Sequence, residues 1–575
     1  MNSREKKIYL GAIAFVLLAW LTSPLLLSRR ETPPQPDTEP TVFDASGAFA
    51  ATEEFVSRFP SRIFGSLESR PSTGYLSDRL QELGYSISYK HFDDGIARRK
   101  KVGRNVLGYR QGQTDEILAL AAHFDTAPTT TQGATANGSG VGALLELARV
   151  FSAVPTRRSL LIVFTDGGEY GSLGAKDIAA AYQGRGRIAA AISLDYVAPG
   201  DLAAFRLDTA GQMKGYAPPW LRELARSAAE TQGLPVESPA GIGEHLERTL
   251  LISGADQGPF LAAGIPAVNL GSVSRDRTRQ KALYHSPQDT IGNLGIAGMQ
   301  KFGNAAERMV RTLDASPSIP RGSAGSFRLW DSRYWRPHAG TALHVFAFLP
   351  LAVAFWLLAK THSGKLTAAG IRRELLVCLG TAIPFWVFLL SISVARAMRL
   401  LPVYSLYPAT AGDPVLLNPP WKILGGMLGA AGIAAVFCIL VGVLALRDMP
   451  KPDFHASRLV LLALLLVIAA LALARNSYWS VTFLLIPAWV WPLAGCGANL
   501  KERLRNTLWI LLAAVPCLAV IWILSARLGL GWNFPWYQVL ALASGLFTAS
   551  GFYLAIACIA LGIRFTVIQF RGNAS

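Results

Sequence analysis

The chain has 575 residues, of which 51% are apolar and only 16% charged, and it carries a formal charge of +17. Soluble globular chains carry closer to a quarter charged residues, so the composition argues against an ordinary soluble protein, and its hydrophobicity excludes a wholly disordered one. The surplus of Lys and Arg over Asp and Glu (55 against 38) admits nucleic acid or membrane as partner, and the position of the charge decides between them.

The apolar residues are unevenly spread. A first run, 8–27, is long enough to span a bilayer. Arg4, Lys6 and Lys7 precede it, and Arg29 and Arg30 follow. No small-x-small cleavage site follows the run, so residues 1–30 read as a cytoplasmic tail and an uncleaved anchor. Residues 31–40 are rich in Pro and acids and form an extended linker. Residues 41–320 then alternate short apolar runs, such as EILALAAHFD, RSLLIVFTD and IAAAISLDYV, with helical patterns such as GALLELARVFS. Runs that end in polar residues are what buried strands give when they deliver side chains to a site. The expected fold is α/β: a central, mostly parallel sheet flanked by helices.

After a connector at 321–339 the chain changes character. Seven more apolar spans are expected, at about 340–359, 375–395, 423–446, 457–474, 479–497, 507–526 and 537–563. With the N-terminus inside, Lys360, Lys365, Arg372, Arg373, Arg447, Arg458 and Arg564 fall on the cytoplasmic side, with few acids such as Glu374 among them. That bias puts both termini in the cytoplasm and the α/β domain outside a plasma or inner membrane, which is periplasmic in a diderm bacterium. The basic surplus is thus mainly a topology signal, and nucleic acid is not an expected partner. All five cysteines lie in or beside the spans. The outer domain therefore has neither a thiol nucleophile nor cysteine-ligated zinc.

Five pieces of the outer domain bear on chemistry. AHFDT offers His123 and Asp125 at a strand end. GATANGSGVGALLELA is a Gly and Ser loop opening a helix at 133–148. FTDGGEYGSLGA places Asp166 and Glu169 just past a strand. SLDYV carries Asp195, and YHSPQDT carries Tyr284, His285 and Asp289. Each alone is weak, since strand-end carboxylates usually cap helices. Their order is specific. Together with SGADQGPFLAAGIPAVNLGS at 253–272, it resembles the co-catalytic two-zinc aminopeptidases of peptidase clan MH, the bacterial leucine aminopeptidase and glutaminyl cyclase group.

The resemblance implies that His123 and Asp195 face one zinc, and Glu169 and His285 the other. Asp125 would orient the His123 imidazole from behind. Asn137, Asp256 and Tyr284 would contact substrate. The family needs a bridging Asp and a general-base Glu. Here the bridge position is Ala136 and the base position is Gly168, while Gln257 stands where a His is usual. Catalytic zinc normally keeps three protein ligands, so at most one ion is expected. Asp166 is the remaining candidate base.

An N-terminal anchor, an outer peptidase-like domain with a damaged metal site, and further spans resemble the attachment subunit of the eukaryotic GPI transamidase. The layout is less close to endoplasmic reticulum metallopeptidases and vacuolar membrane proteases, which keep the full zinc set. The expectation is a pseudoenzyme-like membrane protein that presents a peptide or lipid amine, assisting amide formation by a membrane-bound partner enzyme. A membrane-anchored single-zinc aminopeptidase or cyclase is the alternative, and a non-catalytic scaffold or transporter the third reading.

Overall fold

The computed structural model describes residues 1–570 apart from 33, 94–100, 183–187, 321–324, 402–413, 451–452, 496–498 and 544–548. Lys451, Cys496 and Arg571, along with most of the connector before Trp421, thus lie outside the described residues. The chain divides into two compact units. Among the described residues, an α/β unit lies within Arg29–Pro337, and a helical unit comprises Met1–Ser28, His338–Leu401 and the residues from Pro414 onward.

The α/β unit is built on eight strands: β1 (Ser86–Asp93), β2 (Val102–Arg110), β3 (Thr114–His123), β4 (Arg158–Thr165), β5 (Ile188–Leu194), β6 (Leu202–Asp208), β7 (Val236–Glu237) and β8 (Ala267–Ser274). They lie in the order β1-β2-β4-β3-β5-β8-β6-β7. The central four, β4-β3-β5-β8, are parallel. Antiparallel pairs join β1 to β2, β2 to β4 and β6 to β8. A parallel sheet is covered on both faces, so its strands are apolar without a break. Every residue of β4 is buried, and its side chains alternate between two cores. Leu160, Ile162 and Phe164 join one, and Leu161 and Val163 the other. Leu118, Leu120 and Ala122 of β3 share the first core, while Ala119 and Ala121 face the second.

Helix Ser139–Ser152 crosses from the Gly-rich loop back over the first face. It packs against helix Ala45–Arg58 through Gly142, where an added Cβ would lie 2.0 Å from Thr52 Oγ1 and 2.5 Å from the Ala48 carbonyl oxygen. Glycine is required there because the two backbones touch. Since β3, β4 and β5 run parallel, their C-terminal ends share one edge, and His123, Thr165 and Asp195 are delivered to it together.

Among the described residues of the helical unit, six helices are long and apolar enough to cross a membrane: Ser3–Leu26, Ala339–Lys365, Ala368–Ala397, Trp421–Leu446, Phe454–Arg475 and Ala549–Gln569. A seventh span is formed if Leu500–Leu512 and Val515–Ala526, bent by 45° at their junction, count as one. These are the helices of a multi-pass membrane protein, one near the N-terminus and the rest C-terminal. The sequence led us to expect eight spans. The difference lies at 479–497, where Pro487 and Pro492 divide the backbone into short pieces (Ser477–Ser480, Val481–Leu485, Ile486–Ala488 and Trp491–Leu493).

A second difference concerns charge. Glu374, Arg458 and Arg564, counted above as connector residues, are buried among helices. Arg564 grips Glu374 with two bonds, Nε to Oε2 at 2.6 Å and Nη2 to Oε1 at 2.7 Å, and Ser457 Oγ adds a third at 2.9 Å. This pins helices Ala368–Ala397, Phe454–Arg475 and Ala549–Gln569 together. Removing one partner of such a pair strands a charge in an apolar interior and costs about 3–5 kcal/mol. Glu374→Ala should therefore lower the thermal unfolding midpoint of the purified full chain markedly. Glu374→Ala with Arg564→Met, which removes both charges, should recover much of the loss.

Candidate functional site

The structure gathers His123, Asp125, Glu169, Asp195 and His285 in the interior beside the strand ends, each at most 8% exposed. The anchor of the arrangement is Asp125, which is fully buried. Its Oδ1 accepts the Gly168 N–H at 2.8 Å and its Oδ2 the Glu169 N–H at 3.2 Å, while Oδ1 also faces His123 Nδ1 at 3.3 Å. One carboxylate thus fixes both the imidazole and the turn after β4.

Two histidine–carboxylate pairs result. His123 Nε2 lies 3.5 Å from Asp195 Oδ1, and His285 Nε2 lies 2.8 Å from Glu169 Oε2. Asp195 Oδ1 is buried and, among the described residues, faces the His123 ring without a closer hydrogen-bond partner. Burial opposes protonation of His123, but Asp125 and Asp195 outweigh it and hold its pKa well above the ordinary value. Burial likewise disfavours the Asp195 anion, yet His123 keeps its pKa below the usual carboxylate range.

Bonds of 2.0–2.1 Å to a tetrahedral zinc put neighbouring donors about 3.3 Å apart; the His123–Asp195 pair, at 3.5 Å, is close to that spacing, whereas His285 and Glu169, at 2.8 Å, stand at hydrogen-bond distance. Neither pair is a whole zinc site. Among the described residues no group of three or more His, Cys, Asp or Glu is arranged to hold a metal ion. A catalytic zinc takes three protein ligands, and the position where the resemblance puts the bridging carboxylate offers only the Ala136 methyl. The residues present therefore do not make up a catalytic zinc pair.

Gly168 has a second consequence beyond its missing carboxylate. A Cβ at this position would lie 2.4 Å from both Cβ and Cγ of His123 and 2.8 Å from Nδ1. The imidazole occupies the space that a side chain at 168 would need.

Of the remaining sequence candidates, Asn137 and Asp166 bond to backbone groups, while Asp256 and Tyr284 meet side chains. Asn137 Nδ2 donates to the carbonyls of Leu194 (2.8 Å) and His123 (3.4 Å), while its Oδ1 accepts from Gly140 (3.1 Å) and Tyr196 (3.3 Å). It joins the ends of β3 and β5 to the start of a helix. Asp256 accepts the Thr165 hydroxyl at 2.5 Å. Tyr284 stacks on the His285 ring at 3.8 Å between centroids. Asp166 accepts the amides of Arg104 (3.1 Å) and Gly167 (2.9 Å) and lines a separate cavity of about 220 Å³ with Arg70, His91 and Arg104. Burial, then the nearby Asp125 charge, holds its pKa well above the usual carboxylate value.

Several contributors were not singled out as site residues by the sequence. Asp289 accepts the Thr135 amide and hydroxyl and the Ala136 amide, at 2.8, 2.6 and 3.1 Å, and so clamps the Gly-rich loop. Arg62, fully buried, donates to the Phe124 and Gln132 carbonyls beneath the site. Tyr196 and His285 both sit at positive φ, 58° and 55°, a left-handed conformation that costs such residues energy and tends to cluster at functional sites. Only the Asp289 motif had a local signal, the Asp-Thr that follows a late His.

Fold and site together define a peptidase-like domain on a polytopic helical unit. Residues 105–310, within the α/β unit, match the model of Peptidase family M28. Aminopeptidase YwaD of Bacillus subtilis is 26% identical over 211 residues, covering 36% of this chain and 43% of that protein. The vacuolar membrane protease of Schizosaccharomyces japonicus is 24% identical over 257 residues, 44% of this chain and 28% of that protein. The chain thus spans less than half the length of either relative. A solved zinc aminopeptidase from Bacillus subtilis aligns with 51% of this chain and 100% of its own, at 15% identity and a TM-score of 0.41.

Two outcomes follow from this geometry. Gly168→Ala forces its methyl against the His123 ring, and overpacking of this kind costs about 1–3 kcal/mol. A thermal melt of the full chain should show the α/β unit unfolding several degrees lower. The second concerns Asp256, whose carboxyl burial pushes up to about 6 from 3.8, against the pull of His123 and the Thr165 hydroxyl. A carboxyl with a raised folded-state pKa stabilises the fold fully below 3.8, and that contribution is lost as pH climbs through 6. Asp256→Asn stays neutral at every pH. Its melting temperature relative to wild type should rise from pH 4 to pH 7, and a flat difference would contradict the assignment.

Proposed function

We propose that the M28 domain is a degenerate zinc-peptidase site, which binds the free amine of a peptide or lipid without activating water against it. In this reading the domain presents that amine to a membrane-bound partner enzyme that forms an amide bond. The observation that carries the reading is the pairing of Ala136 with Gly168. The first removes the carboxylate that would complete either metal half-site, and the second leaves its space to the His123 ring. What remains is a buried cluster of Asp125, Glu169 and Asp195 with two imidazoles. Such a cluster suits an ammonium group, which supplies donors to Asp195 Oδ1 and to the Glu169 carboxylate. A site that does not hydrolyse amides also protects the product of an amide-forming step. On this reading the domain is extracytoplasmic, with both termini inside.

The juxtaposition of His285 and Glu169, two residue types that ligate zinc, supports a second reading: one zinc held there with a water, in a membrane-anchored aminopeptidase or cyclase. Zinc analysis and peptide-amide turnover of the purified full chain separate the two. The proposal expects fewer than two zinc ions per chain, no aminopeptidase turnover, and binding of free-amine peptides in preference to their N-acetylated forms, with Asp195→Asn weakening the preference. Two bound zincs with rapid amide hydrolysis would sink it. One zinc with turnover lost in Glu169→Gln would establish the second reading.

A further inference from the structure

Within the helical unit, helices Ala368–Ala397 and Trp421–Leu446 pass each other antiparallel and leave a cavity of about 620 Å³ along their contact. Its walls come from one face of each helix. Arg373, Gly380 and Pro384 follow one another along the first, and Ala435, Gly442 and Arg447 along the second. Because the helices are antiparallel, Arg373 and Arg447 meet at the same end, while Pro384 and Ala435 mark the other. Aliphatic side chains such as Val377, Ile439 and Val443 line the space between.

We propose that this groove holds one anionic phospholipid of the bilayer, its phosphate at Arg373 and Arg447 and one acyl chain along the groove. Three observations converge on that occupant. The first is charge: both guanidinium-bearing residues stand at one end of an otherwise apolar cavity, and basic pockets between membrane helices suit anionic headgroups. Arg373 Nη1 donates to the Leu446 and Met449 carbonyls, each at 2.6 Å, which fixes the guanidinium at the end of the second helix. Its Nε is buried with no hydrogen-bond partner among the described residues. A phosphate oxygen would satisfy it.

The second observation is length. Arg373 and Pro384 are eleven residues apart on one helix, about 16 Å of axial rise. That is half of the roughly 30 Å hydrocarbon core, or one leaflet. A lipid whose phosphate sits at the arginine end therefore has its chain at the depth of the groove. The third is room: a Cβ built on Gly380 or on Gly442 meets no atom within 4 Å. The glycines do not serve close packing of the helices here; they leave space that something else fills.

The experiment uses the full chain in mild detergent, titrated with phosphatidylglycerol or with phosphatidylcholine of the same acyl chains and followed by native mass spectrometry. The expected result is one tightly retained phosphatidylglycerol, with the zwitterionic lipid bound roughly tenfold more weakly. Arg447→Gln should bring the two lipids closer together, and Arg373→Gln should do so more strongly. Because Arg373 also caps a helix, Arg447→Gln is the variant that isolates charge from folding. Gly442→Phe enters open space, so it should leave the melting temperature unchanged while lowering retention of both lipids. Equal retention of the two lipids by wild type, no retained lipid, or a Gly442→Phe chain that binds phosphatidylglycerol as wild type does would each overturn the proposal. None of these results bears on zinc content or amide turnover, so the reading of the M28 domain stands or falls separately.

Discussion

The carboxylate of Asp125 sets the geometry on which the rest of the site depends. It is buried, and it divides its two oxygens among two backbone amides and an imidazole nitrogen. Those contacts draw the turn after β4 toward the end of β3. Once the turn is there, Glu169 is brought up to His285, and residue 168 lies against the His123 ring. A buried charged group is tolerated when its lone pairs are met, and here the meeting partners are supplied by main chain. The surrounding ties repeat the device. Asn137 and Asp289 spend their polar atoms on amides and carbonyls of the Gly-rich loop and the strand ends. The site is held in place by polar side chains that bond to backbone.

In the helical unit a comparable constraint acts without the benefit of backbone partners. The Glu374–Arg564 pair joins side chains from two helices, with Ser457 of a third. Its geometry is bidentate, the form that best offsets the cost of removing both charges from water. Depth along the helix did not foretell this. Glu374 and Arg564 lie near helix ends, where charged residues ordinarily reach the interface; rotation about the helix axis is what turns them inward.

The same distinction explains how much could be read from the chain. Alternating cores on β3 and β4, polar strand ends and the Gly-rich helix start are local patterns, and the expected mostly parallel sheet follows from them. Which residues pair across the site was legible only through the order of motifs: His123 with Asp195, and Glu169 with His285. The function of Asn137 was not legible, because a buried amide looks the same in sequence whether it faces a ligand or a carbonyl. The broken stretch from Ser477 to Leu493 passed as a span on hydropathy, since composition does not register that Pro487 and Pro492 interrupt the hydrogen-bond ladder. Arg62 offered no pattern at all; its importance comes from a position beneath a loop some seventy residues away in sequence.

Gly168 shows why the absence of a catalytic group and the presence of a different structure are separate statements. Read from sequence, glycine at this place is a missing carboxylate, and restoring it looks like a matter of one substitution. In the folded protein the imidazole of His123 stands within 2.4 Å of where the new side chain would begin. A glutamate there would have to displace the ring, and with it the contacts to Asp125 and Asp195 that hold the imidazole's charge. The two features therefore depend on each other: the histidine keeps its place because 168 is glycine, and the protonated ring is favoured because two carboxylates flank it. With glycine at 168, no carboxylate at that position stands ready to draw a proton from water.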